Sequence, residues 1–421
     1  MTPLVERGEY AQKLRALRDT ELIKVVTGVR RCGKSTLLKM FQNELLQHGV
    51  QVSQIVSVDL DDFGNIRLRD PQSLYAHLAA RVLPDMMTYI FLDEVQLCPG
   101  FEDVANSLCK RSNVDLYLTG SNAVTLSSEL ATRIAGRYVE IPMLPLSFRE
   151  YMTGTEPAGS LTEMYSRYLE TSAFPFTLRL KDKAQIDSYL ASIYDAIVAR
   201  DISLRHNLTN PQRMLPVLAF LMDSIGNRIS VKRIADTLSS GGRQTNVRTA
   251  EKYLQAFLDS FILYRAGRYD VKGREHLRTL EKYYAVDLGL RRVIGGLQNT
   301  NAGSMLENVV YLELRRRGFQ VYTGKVGSRE VDFVAMKPGD LRYYQVSATV
   351  RDPAVMRREL EPLEQIRDHC PKKLLVLDED PEMNHNGIRQ LNVLKWLTDL
   401  SLVPRGISLS VIAHAANGTP V

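Results

Sequence analysis

Short apolar runs alternate with amphipathic segments between residues 20 and 150. Strand-like runs are IKVV at 23–26, QIVSVDL at 54–60, YIFLDE at 89–94 and VDLYLTG at 114–120. Apolar residues at helical spacing occupy 37–46, 71–83 and 101–109. Strands with helices between them form parallel sheets, and strands covered on both faces are nearly continuous apolar runs. The pattern therefore predicts an α/β fold with a parallel sheet in this part of the chain.

A helical pattern replaces this alternation between residues 160 and 222. It is followed at 228–270 by a short strand, a helix, a glycine-containing turn, a second helix and a pair of strands. This order is that of a winged helix-turn-helix. We therefore expect a helical region that includes a winged helix at about 225–275.

A third arrangement begins after Gly303. The pattern predicts a helix at 304–318, strands at 319–324, 330–336 and 342–349, a helix through ELEPLEQIRDHC at 359–370 and a strand at 372–378. This α-β-β-β-α-β order resembles the restriction-endonuclease-like core. The C-terminal part is therefore predicted to be a second α/β domain.

Length and composition set the broad class of the protein. The chain has 421 residues, of which 44% are hydrophobic and 24% charged, and a net charge of +6. This is ordinary for a globular chain of several domains, and the mild basic excess permits an acidic partner without requiring one. The four cysteines are scattered, and no apolar run suits a bilayer or a signal peptide, so we expect a cytoplasmic protein without membrane contact. The segment LVPRG at 402–406 resembles a vector-derived protease site, so residues 401–421 are left out of functional argument.

The segment TGVRRCGKST at 27–36 joins the first strand to the first helix of the sheet. Its spacing G-x-x-x-x-G-K-S is that of a phosphate-binding loop, in which glycines let backbone amides converge on phosphate oxygens at a helix N-terminus. Lys34 would reach the outer phosphates, and the Ser35 hydroxyl would bind Mg²⁺. The candidate nucleotide-binding residues are Gly28, Cys32, Gly33, Lys34, Ser35 and Thr36. The side chains of Arg30 and Arg31 need not face the phosphates, which leaves them free to reach another domain or subunit.

The strand-like run YIFLDE, about 60 residues after the loop, ends in two acidic residues. Ligands of open α/β sheets bind at the carboxyl ends of strands, so Asp93 would lie beside the Mg²⁺ and Glu94 would polarise a water. The next strand ends in LTGSNA, where Ser121 and Asn122 would face the same site. Arg133 and Arg137, farther on, would stabilise transition-state charge in a neighbouring subunit or serve as surface residues.

These stretches together resemble a prokaryotic family of AAA-type ATPases that is often called archaeal-type. The matching segments are TGVRRCGKST, FLDEVQ, LTGSNA, AGRYVEIPMLPLSFREY, FPF at 174–176, IYDAIVARDI, the helical pair within 228–265, KYYAVDLGL and EVDFVA. The resemblance implies ATP as the nucleotide, a sensor role for Asn122 and a homo-oligomer. It also implies an AAA-type P-loop domain at 1–155, a helical and winged-helix region at 156–298, and a restriction-endonuclease-like domain at 299–400.

The region of the predicted winged helix has a net charge of +6, equal to that of the whole chain. Residues 225–280 contain eleven basic and five acidic residues. In a winged helix, the second helix at about 245–257 would enter the major groove of duplex DNA and the strand pair would lie beside phosphates. The candidate DNA contacts are Arg243, Gln244, Asn246, Arg248, Lys252, Arg268 and Lys272. Winged helices are also common protein-interaction modules, and that alternative stays open.

The C-terminal domain lacks part of the nuclease site that its fold would carry. A site of this kind combines a helix Glu, a strand Asp and an E-x-K segment around Mg²⁺. Glu307 and Asp332 match the first two positions, but the third is occupied by Gln345-Val346-Ser347. Loss of a carboxylate and of the lysine predicts a degenerate site, for which Arg351, placed on the same strand face as Ser347, is a candidate substitute.

Three functions are compatible with these features. The first is an ATP-hydrolysing AAA-type protein whose nucleotide state controls engagement of DNA through the winged helix. The second is an ATP-regulated nuclease, which the Gln345–Ser347 substitutions disfavour. The third is a slowly hydrolysing nucleotide switch that binds a protein partner.

Overall fold

The computed structural model describes residues 4–121, 134, 136–156, 159–203, 214–240, 246–295 and 301–398. Four predicted site residues lie outside these ranges: Asn122, Arg133, Arg243 and Gln244. The vector-like tail at 401–421 lies outside them as well. No helix in the described ranges combines the length and the apolar surface needed to cross a membrane.

The amino-terminal part is a parallel sheet of five strands in the order β2-β3-β4-β1-β5. Its strands are β1 (Ile23–Thr27), β2 (Ile55–Asp59), β3 (Thr88–Asp93), β4 (Val114–Gly120) and β5 (Tyr138–Pro142). The helices are α1 (Gly8–Ala16), α2 (Lys34–Gln47), α3 (Pro71–Ala79) and α4 (Phe101–Leu108). Strands β1 and β4 are buried along their whole length, as expected for strands covered on both faces. The prediction of a parallel α/β sheet is confirmed.

A helical region follows the sheet. It consists of α5 (Phe148–Gly154), α6 (Leu161–Glu170), α7 (Lys183–Ala196) and α8 (Leu215–Asp223). Helix α7 continues directly into a π-helical segment, Ile197–Ser203. Short π-helical segments are rare and are frequently found at functional sites. This segment includes the last residues of the stretch IYDAIVARDI, which is one of those that resemble the AAA-type family.

The next elements occur in the order that the sequence predicted. They are β6 (Arg228–Ile229), α9 (Val231–Ser240), α10 (Val247–Asp259), β7 (Leu263–Asp270), β8 (Glu275–Ala285) and α11 (Leu288–Gly295). The Asn246 side chain caps α10 by accepting from the Thr249 amide at 2.8 Å. The buried Asp287 immediately precedes α11 and accepts from the Ser172 hydroxyl and the Ala173 amide. These hydrogen bonds connect the stretch KYYAVDLGL to the segment that contains FPF.

The carboxyl-terminal part is a second α/β arrangement. It contains α12 (Ala302–Arg316), β9 (Gln320–Val326), β10 (Arg329–Lys337), β11 (Asp340–Ser347), α13 (Pro353–Glu364), β12 (Lys372–Val376), β13 (Met383–His385), β14 (Ile388–Asn392) and α14 (Val393–Thr398). The helix predicted through 359–370 is displaced toward the amino terminus. Asp352 caps α13 and Pro353 occupies its first turn, whereas Asp368 folds the chain by accepting from the Cys370 amide. Strands β13 and β14 and helix α14 were not predicted.

One nine-stranded sheet runs through the carboxyl-terminal half, in the order β13-β14-β12-β11-β10-β9-β7-β8-β6. The β7–β8 hairpin joins it because β7 pairs in parallel with β9, with Gly267 opposite Tyr322 and Asp270 opposite Lys325. The strand pair of the predicted winged helix is therefore one edge of the C-terminal sheet. Sequence patterns showed both sets of strands, but not this pairing.

Candidate functional site

The loop between β1 and α2 lies at the carboxyl edge of the five-stranded sheet. Gly28 has φ +147°, and a Cβ atom at this position would lie 2.1 Å from the Met143 carbonyl oxygen. Gly33 has φ +107° and precedes the first residue of α2. Only glycine is compatible with the close approach at Gly28, and positive φ at both positions favours glycine. The two glycines of the motif are thus required by the shape of the loop.

The amino end of α2 is open to an anion. Gly33 provides no capping side chain, and the first turn of the helix contains no acidic residue. The partial positive charge of the helix N-terminus is therefore not compensated by the helix itself. Lys34 is buried, and its ammonium donates to the carbonyl oxygens of Gly28 at 2.9 Å and Val29 at 3.2 Å. The loop thus concentrates positive charge at one point.

Cys32 contributes through its main chain. Its side chain is fully buried in the core, and burial raises the pKa of the thiol, against the nearby charges of Lys34 and Arg7. Its carbonyl oxygen accepts from the Arg7 guanidinium at 3.0 Å. Arg7 is itself buried and also pairs with Glu150 at 2.9 Å. The segment before α1, for which the sequence predicted no role, therefore holds the phosphate-binding loop through Arg7.

Ser35 and Asp93 are brought together by the fold. The Asp93 carboxylate accepts from the Thr119 hydroxyl, and both Ser35 and Asp93 line the same pocket. Burial raises the pKa of Asp93, and the nearby Ser35 and Thr119 hydroxyls act in the opposite direction. A hydroxyl and a carboxylate that are close together offer two oxygen ligands of the kind that Mg²⁺ prefers. This is the arrangement that the sequence predicted from two separate motifs.

Glu94 follows Asp93 in a left-handed backbone conformation, with φ +53°. Its amide donates to the Thr119 hydroxyl at 3.0 Å, and its carboxylate accepts from the Gln96 side-chain amide. The same Gln96 amide lies 3.3 Å from the Ser121 hydroxyl. The side chain of Glu94 is therefore oriented by Gln96 and Ser121, of which only Ser121 was a sequence candidate.

A pocket of about 360 Å³ contains most of these groups. Its polar side is formed by Lys34, Ser35, Thr36, Asp93 and Glu94, together with Arg30, Arg31, Asp59 and Asp61. Its lining also includes Leu4, Val5, Pro175, Phe176, Arg179 and Tyr189. The Phe176 and Tyr189 rings are 4.9 Å apart, and Phe176 remains 45% exposed. The FPF stretch thus supplies an aromatic side chain to the pocket.

Arg30 reaches the helical region. Its guanidinium Nε lies 3.3 Å from a carboxylate oxygen of Asp201, in the π-helical segment 197–203. Burial favours the neutral form of Arg30, but the carboxylates of Asp201 and Glu94 outweigh it and raise the pKa. The sequence allowed Arg30 to reach another domain or subunit, and this contact is of the first kind. Its partner could not be found from a motif, because Asp201 stands 171 positions away.

Arg137 lies away from this pocket. It immediately precedes β5, and its carbonyl oxygen accepts from the Ile23 amide at the amino edge of the sheet. Its guanidinium donates to the Asn106 side chain at 3.1 Å. Arg137 is therefore at the opposite edge from Lys34 and Asp93 of the same chain, and any contact with a nucleotide requires a second copy.

The basic candidates of the middle region separate into two groups. Arg248 and Lys252 are exposed and one turn apart on α10, so they share a helix face. Asn246 is exposed but caps the same helix. Arg268 is half-buried in the middle of β7, between β8 and β9, whereas Lys272 is exposed in the turn between β7 and β8.

The predicted nuclease residues of the C-terminal domain gather around a lysine. Lys282 from β8 is buried, and its ammonium lies 2.9 Å from Glu307, 2.8 Å from Glu330 and 3.9 Å from Asp332. The Tyr284 hydroxyl also donates to Glu307, at 2.6 Å. Burial lowers the pKa of Lys282, but the three carboxylates outweigh it and raise the pKa. In the described part of the chain, no three His, Cys, Asp or Glu side chains are grouped so that they could hold a metal ion.

At the E-x-K positions, the Gln345 side-chain oxygen stays beside Asp332 and accepts from its backbone amide at 3.3 Å. The Gln345 amide donates to Glu359 at 2.8 Å, and the Ser347 hydroxyl donates to the Thr349 carbonyl at 3.0 Å. The proposal that Arg351 substitutes for the missing lysine is wrong. β11 ends at Ser347, and Arg351 is exposed and lies beside Asp378 at 3.5 Å. The lysine that lies beside Glu307 and Asp332 is Lys282, and it was missed because the sequence pattern assigns it to the preceding region.

Comparison with known proteins assigns the chain to a family. Residues 20–152 match the AAA domain, and residues 162–301 match a domain of unknown function. An uncharacterized protein of Haemophilus influenzae is 34% identical over 399 residues, which are 94% of this chain and 98% of that protein. The chain belongs to the family of this Haemophilus influenzae protein. Its AAA domain confirms the AAA-type P-loop fold that the sequence predicted for this part.

Other similar proteins come from archaea. The uncharacterized protein MJ1544 of Methanocaldococcus jannaschii is 26% identical over 363 residues, 79% of this chain and 77% of that protein. Among solved structures, the Walker-type ATPase PABY2304 of Pyrococcus abyssi is similar with a TM-score of 0.48 and 16% identity. That similarity covers 69% of this chain and 96% of the Pyrococcus chain.

Proposed function

We propose that this AAA-domain protein binds ATP with Mg²⁺ and hydrolyses it, and that its nucleotide state controls engagement of duplex DNA. The observation that carries the first part is that Lys34 and Ser35 line one pocket together with Asp93. This pocket joins the phosphate-binding loop to the acidic end of β3. Convergent polar groups in a concave site are the basis for assigning a ligand.

Lys34, the loop amides and the α2 N-terminus would hold the phosphates. Ser35 and Asp93 would hold Mg²⁺, which, when bound, neutralises charge on the phosphate oxygens. Glu94, steadied by Gln96, would orient a water toward the terminal phosphate. The apolar side of the pocket, with Val5 and Phe176, suits a base. ATP rather than another nucleotide rests on the resemblance to AAA-type ATPases.

Self-association completes the proposed catalytic site. Arg137 is at the wrong edge of the sheet to reach its own pocket, so it would act in a neighbouring copy. A guanidinium supplied in this way stabilises charge that develops in the transition state of phosphoryl transfer. Arg133 and Asn122 stay predictions, since they lie outside the described residues.

DNA engagement is proposed for the region 225–275, taken as a winged helix. The exposed pair Arg248 and Lys252 on α10 supports this, because adjacent cations on one helix face suit phosphates. Lys272 in the β7–β8 turn is placed to add a second contact. The C-terminal domain is taken as a restriction-endonuclease-like fold without nuclease activity, because Lys282 lies among the carboxylates that a metal ion would need.

The test is steady-state ATP turnover with and without duplex DNA. Lys34→Ala should lose both binding and turnover, and Glu94→Gln should keep binding but lose about 100-fold in turnover, because general-base catalysis contributes at least this much. Lys39→Ala, an exposed lysine on the same helix, is the matched control and should behave as wild type. Absence of nucleotide binding by the wild type would overturn the proposal.

The DNA part is tested separately by titration at several salt concentrations. Arg248→Ala/Lys252→Ala should weaken duplex binding and flatten its salt dependence, because fewer counterions are released. Lys181→Ala/Lys183→Ala removes the same charge from exposed positions elsewhere and should not. Equal binding of both variants, or no stimulation of turnover by DNA, would favour the switch that binds a protein partner.

A further inference from the structure

Asp201 is a buried carboxylate at the boundary between the nucleotide pocket and the helical region. It is only 1% exposed, in the π-helical segment Ile197–Ser203 that continues α7. A buried carboxylate is costly unless cations or hydrogen-bond donors compensate it. Each oxygen of Asp201 has such a contact from the AAA domain.

The first contact is with the phosphate-binding loop, and the second with the end of β4. Arg30 Nε lies 3.3 Å from Asp201 Oδ2, and the Ser121 hydroxyl donates to Asp201 Oδ1 at 3.1 Å. Arg30 is itself only 12% exposed, so this pair is well shielded from water. Ser121 is fully buried. The segment 197–203 is therefore fixed to two elements that border the nucleotide pocket.

The same contacts lead to the proposed catalytic base. Ser121 also lies 3.3 Å from the Gln96 amide, and Gln96 donates to the Glu94 carboxylate. A continuous set of polar contacts thus runs from Asp201 through Ser121 and Gln96 to Glu94. A change at Asp201 would alter the contacts of Glu94 through the two side chains between them, and the sheet need not move.

Arg30 has an alternative partner within the same pocket. It lines the pocket together with Lys34 and Glu94. A terminal phosphate brought between Lys34 and Glu94 would offer a guanidinium more charge than one carboxylate does, and arginine–phosphate pairs are strong because they are charge-assisted and bidentate. Asp201 and a terminal phosphate would therefore compete for Arg30.

We propose that Asp201 is a positioning residue that couples the terminal phosphate of a nucleotide to the helical region, because Arg30 exchanges Asp201 for that phosphate. With a triphosphate, Arg30 leaves Asp201, and the segment 197–203 loses a contact that fixes it to the AAA domain. With a diphosphate, the Arg30–Asp201 pair is kept. This inference rests on the proposed nucleotide binding and adds the route by which the nucleotide state reaches the rest of the chain.

The experiment compares the affinities for fluorescent ATP and ADP analogues in a Glu94→Gln background, which slows turnover about 100-fold. Asp201→Asn removes the competing charge, so ATP affinity should rise about tenfold while ADP affinity stays the same. Arg30→Ala should lower ATP affinity by about tenfold, again without change for ADP. The double variant should not show the gain in ATP affinity of Asp201→Asn alone, because that gain depends on the release of Arg30. Asp195→Asn, an exposed carboxylate on α7, is the matched control and should change neither affinity.

Hydrogen exchange provides a second readout that a purely structural role would not move. ATP, but not ADP, should increase amide exchange in peptides that cover 197–203. In Asp201→Asn the exchange should already be high without nucleotide. Equal effects of Asp201→Asn on both nucleotides, or no effect on either, would overturn the inference while nucleotide binding stands. Absence of binding in the parent protein would instead remove the proposed function and this inference together.

Discussion

Lys282 places its ammonium 2.9 Å from Glu307, so that a cation from the β7–β8 hairpin lies among the acidic side chains of the C-terminal domain. The contact joins two regions that the sequence separates near residue 299. It also supplies positive charge where the predicted site lost its own lysine. The acidic cluster is therefore neutralised from within the chain.

Removal of this lysine should destabilise the protein. We expect Lys282→Met to lower the free energy of unfolding by about 3–5 kcal/mol at pH 7, because it leaves buried carboxylates unpaired. Burial and Glu307 already raise the pKa of Asp332 well above its usual value, so the deficit should shrink as the pH falls and the carboxylates take up protons. Urea denaturation at two pH values measures both effects.

Lys325→Met is the control for this change. Lys325 lies in the same sheet, but it is 37% exposed and pairs with Asp270 at 3.3 Å. A surface pair of this kind is worth at most about 1 kcal/mol. Equal losses of unfolding free energy in the two variants would show that the cluster around Lys282 stabilises the protein no more than a surface ion pair does.

Acid should weaken the joint between the amino-terminal segment and α5. Burial alone would raise the pKa of Glu150, but the charges of Arg7 and Arg316 outweigh it and lower the pKa below its usual 4.5. A carboxyl whose pKa is depressed in the folded state contributes stability above 4.5, and that contribution is lost as the pH falls through the folded value. Glu150→Gln should lower stability by about 3 kcal/mol at pH 7 and flatten the pH dependence below 4.5.

Thermal unfolding between pH 3 and pH 7 measures this effect. The control is Glu44→Gln, since Glu44 forms an ion pair with the exposed Arg15 on the surface. That variant should keep the wild-type pH dependence. A Glu150→Gln profile that runs parallel to the wild-type profile would contradict the assignment.

The aromatic side of the pocket should affect binding rather than chemistry. Phe176 contacts Tyr189, and both residues line the pocket. We expect Phe176→Ala to raise KM for ATP about fivefold with kcat unchanged, because a contact kept in both the ground state and the transition state affects only binding. Phe63→Ala, an 82% exposed phenylalanine outside the pocket, should leave both constants unchanged. A fall in kcat would place Phe176 in the chemical step instead.

Mixing two inactive variants tests whether sites are shared between copies. Arg137→Ala should lower turnover about 1000-fold, as loss of a catalytic arginine does, and Lys34→Ala should lower it as well. An equimolar mixture should recover about a quarter of the wild-type rate, since one site in four would combine an intact Lys34 with an intact Arg137 from the neighbour. Lys110→Ala, an exposed change at the same edge as Arg137, should keep full activity alone. An inactive mixture would remove Arg137 from the site.

The features that could be predicted from the sequence are those fixed by neighbouring residues. The phosphate-binding loop is contiguous, so its spacing sufficed to place Gly28, Gly33 and Lys34. Strand periodicity then placed Asp93 at the same edge of the sheet as Ser35. These inferences needed only local geometry and the rule that parallel strands end together.

The features that were missed are pairings between distant side chains. No motif connects Arg30 with Asp201, or Lys282 with Glu307, because a charged pair constrains only its own two positions. The parallel pairing of β7 with β9 was missed for a similar reason, since strand patterns show which face is buried but not which strand lies next. The same limit explains why the sequence indicated Arg351, and not Lys282, as the cation near Glu307 and Asp332.

The pairing of β7 with β9 changes what a deletion would do. A chain cut near residue 299 would keep every residue of the helical and basic region, yet the outer side of β7 would expose backbone groups along Gly267–Asp270. Unpaired strand edges recruit other chains. The shorter protein would therefore be prone to association through that strand, because β9 would no longer cover the outer side of β7.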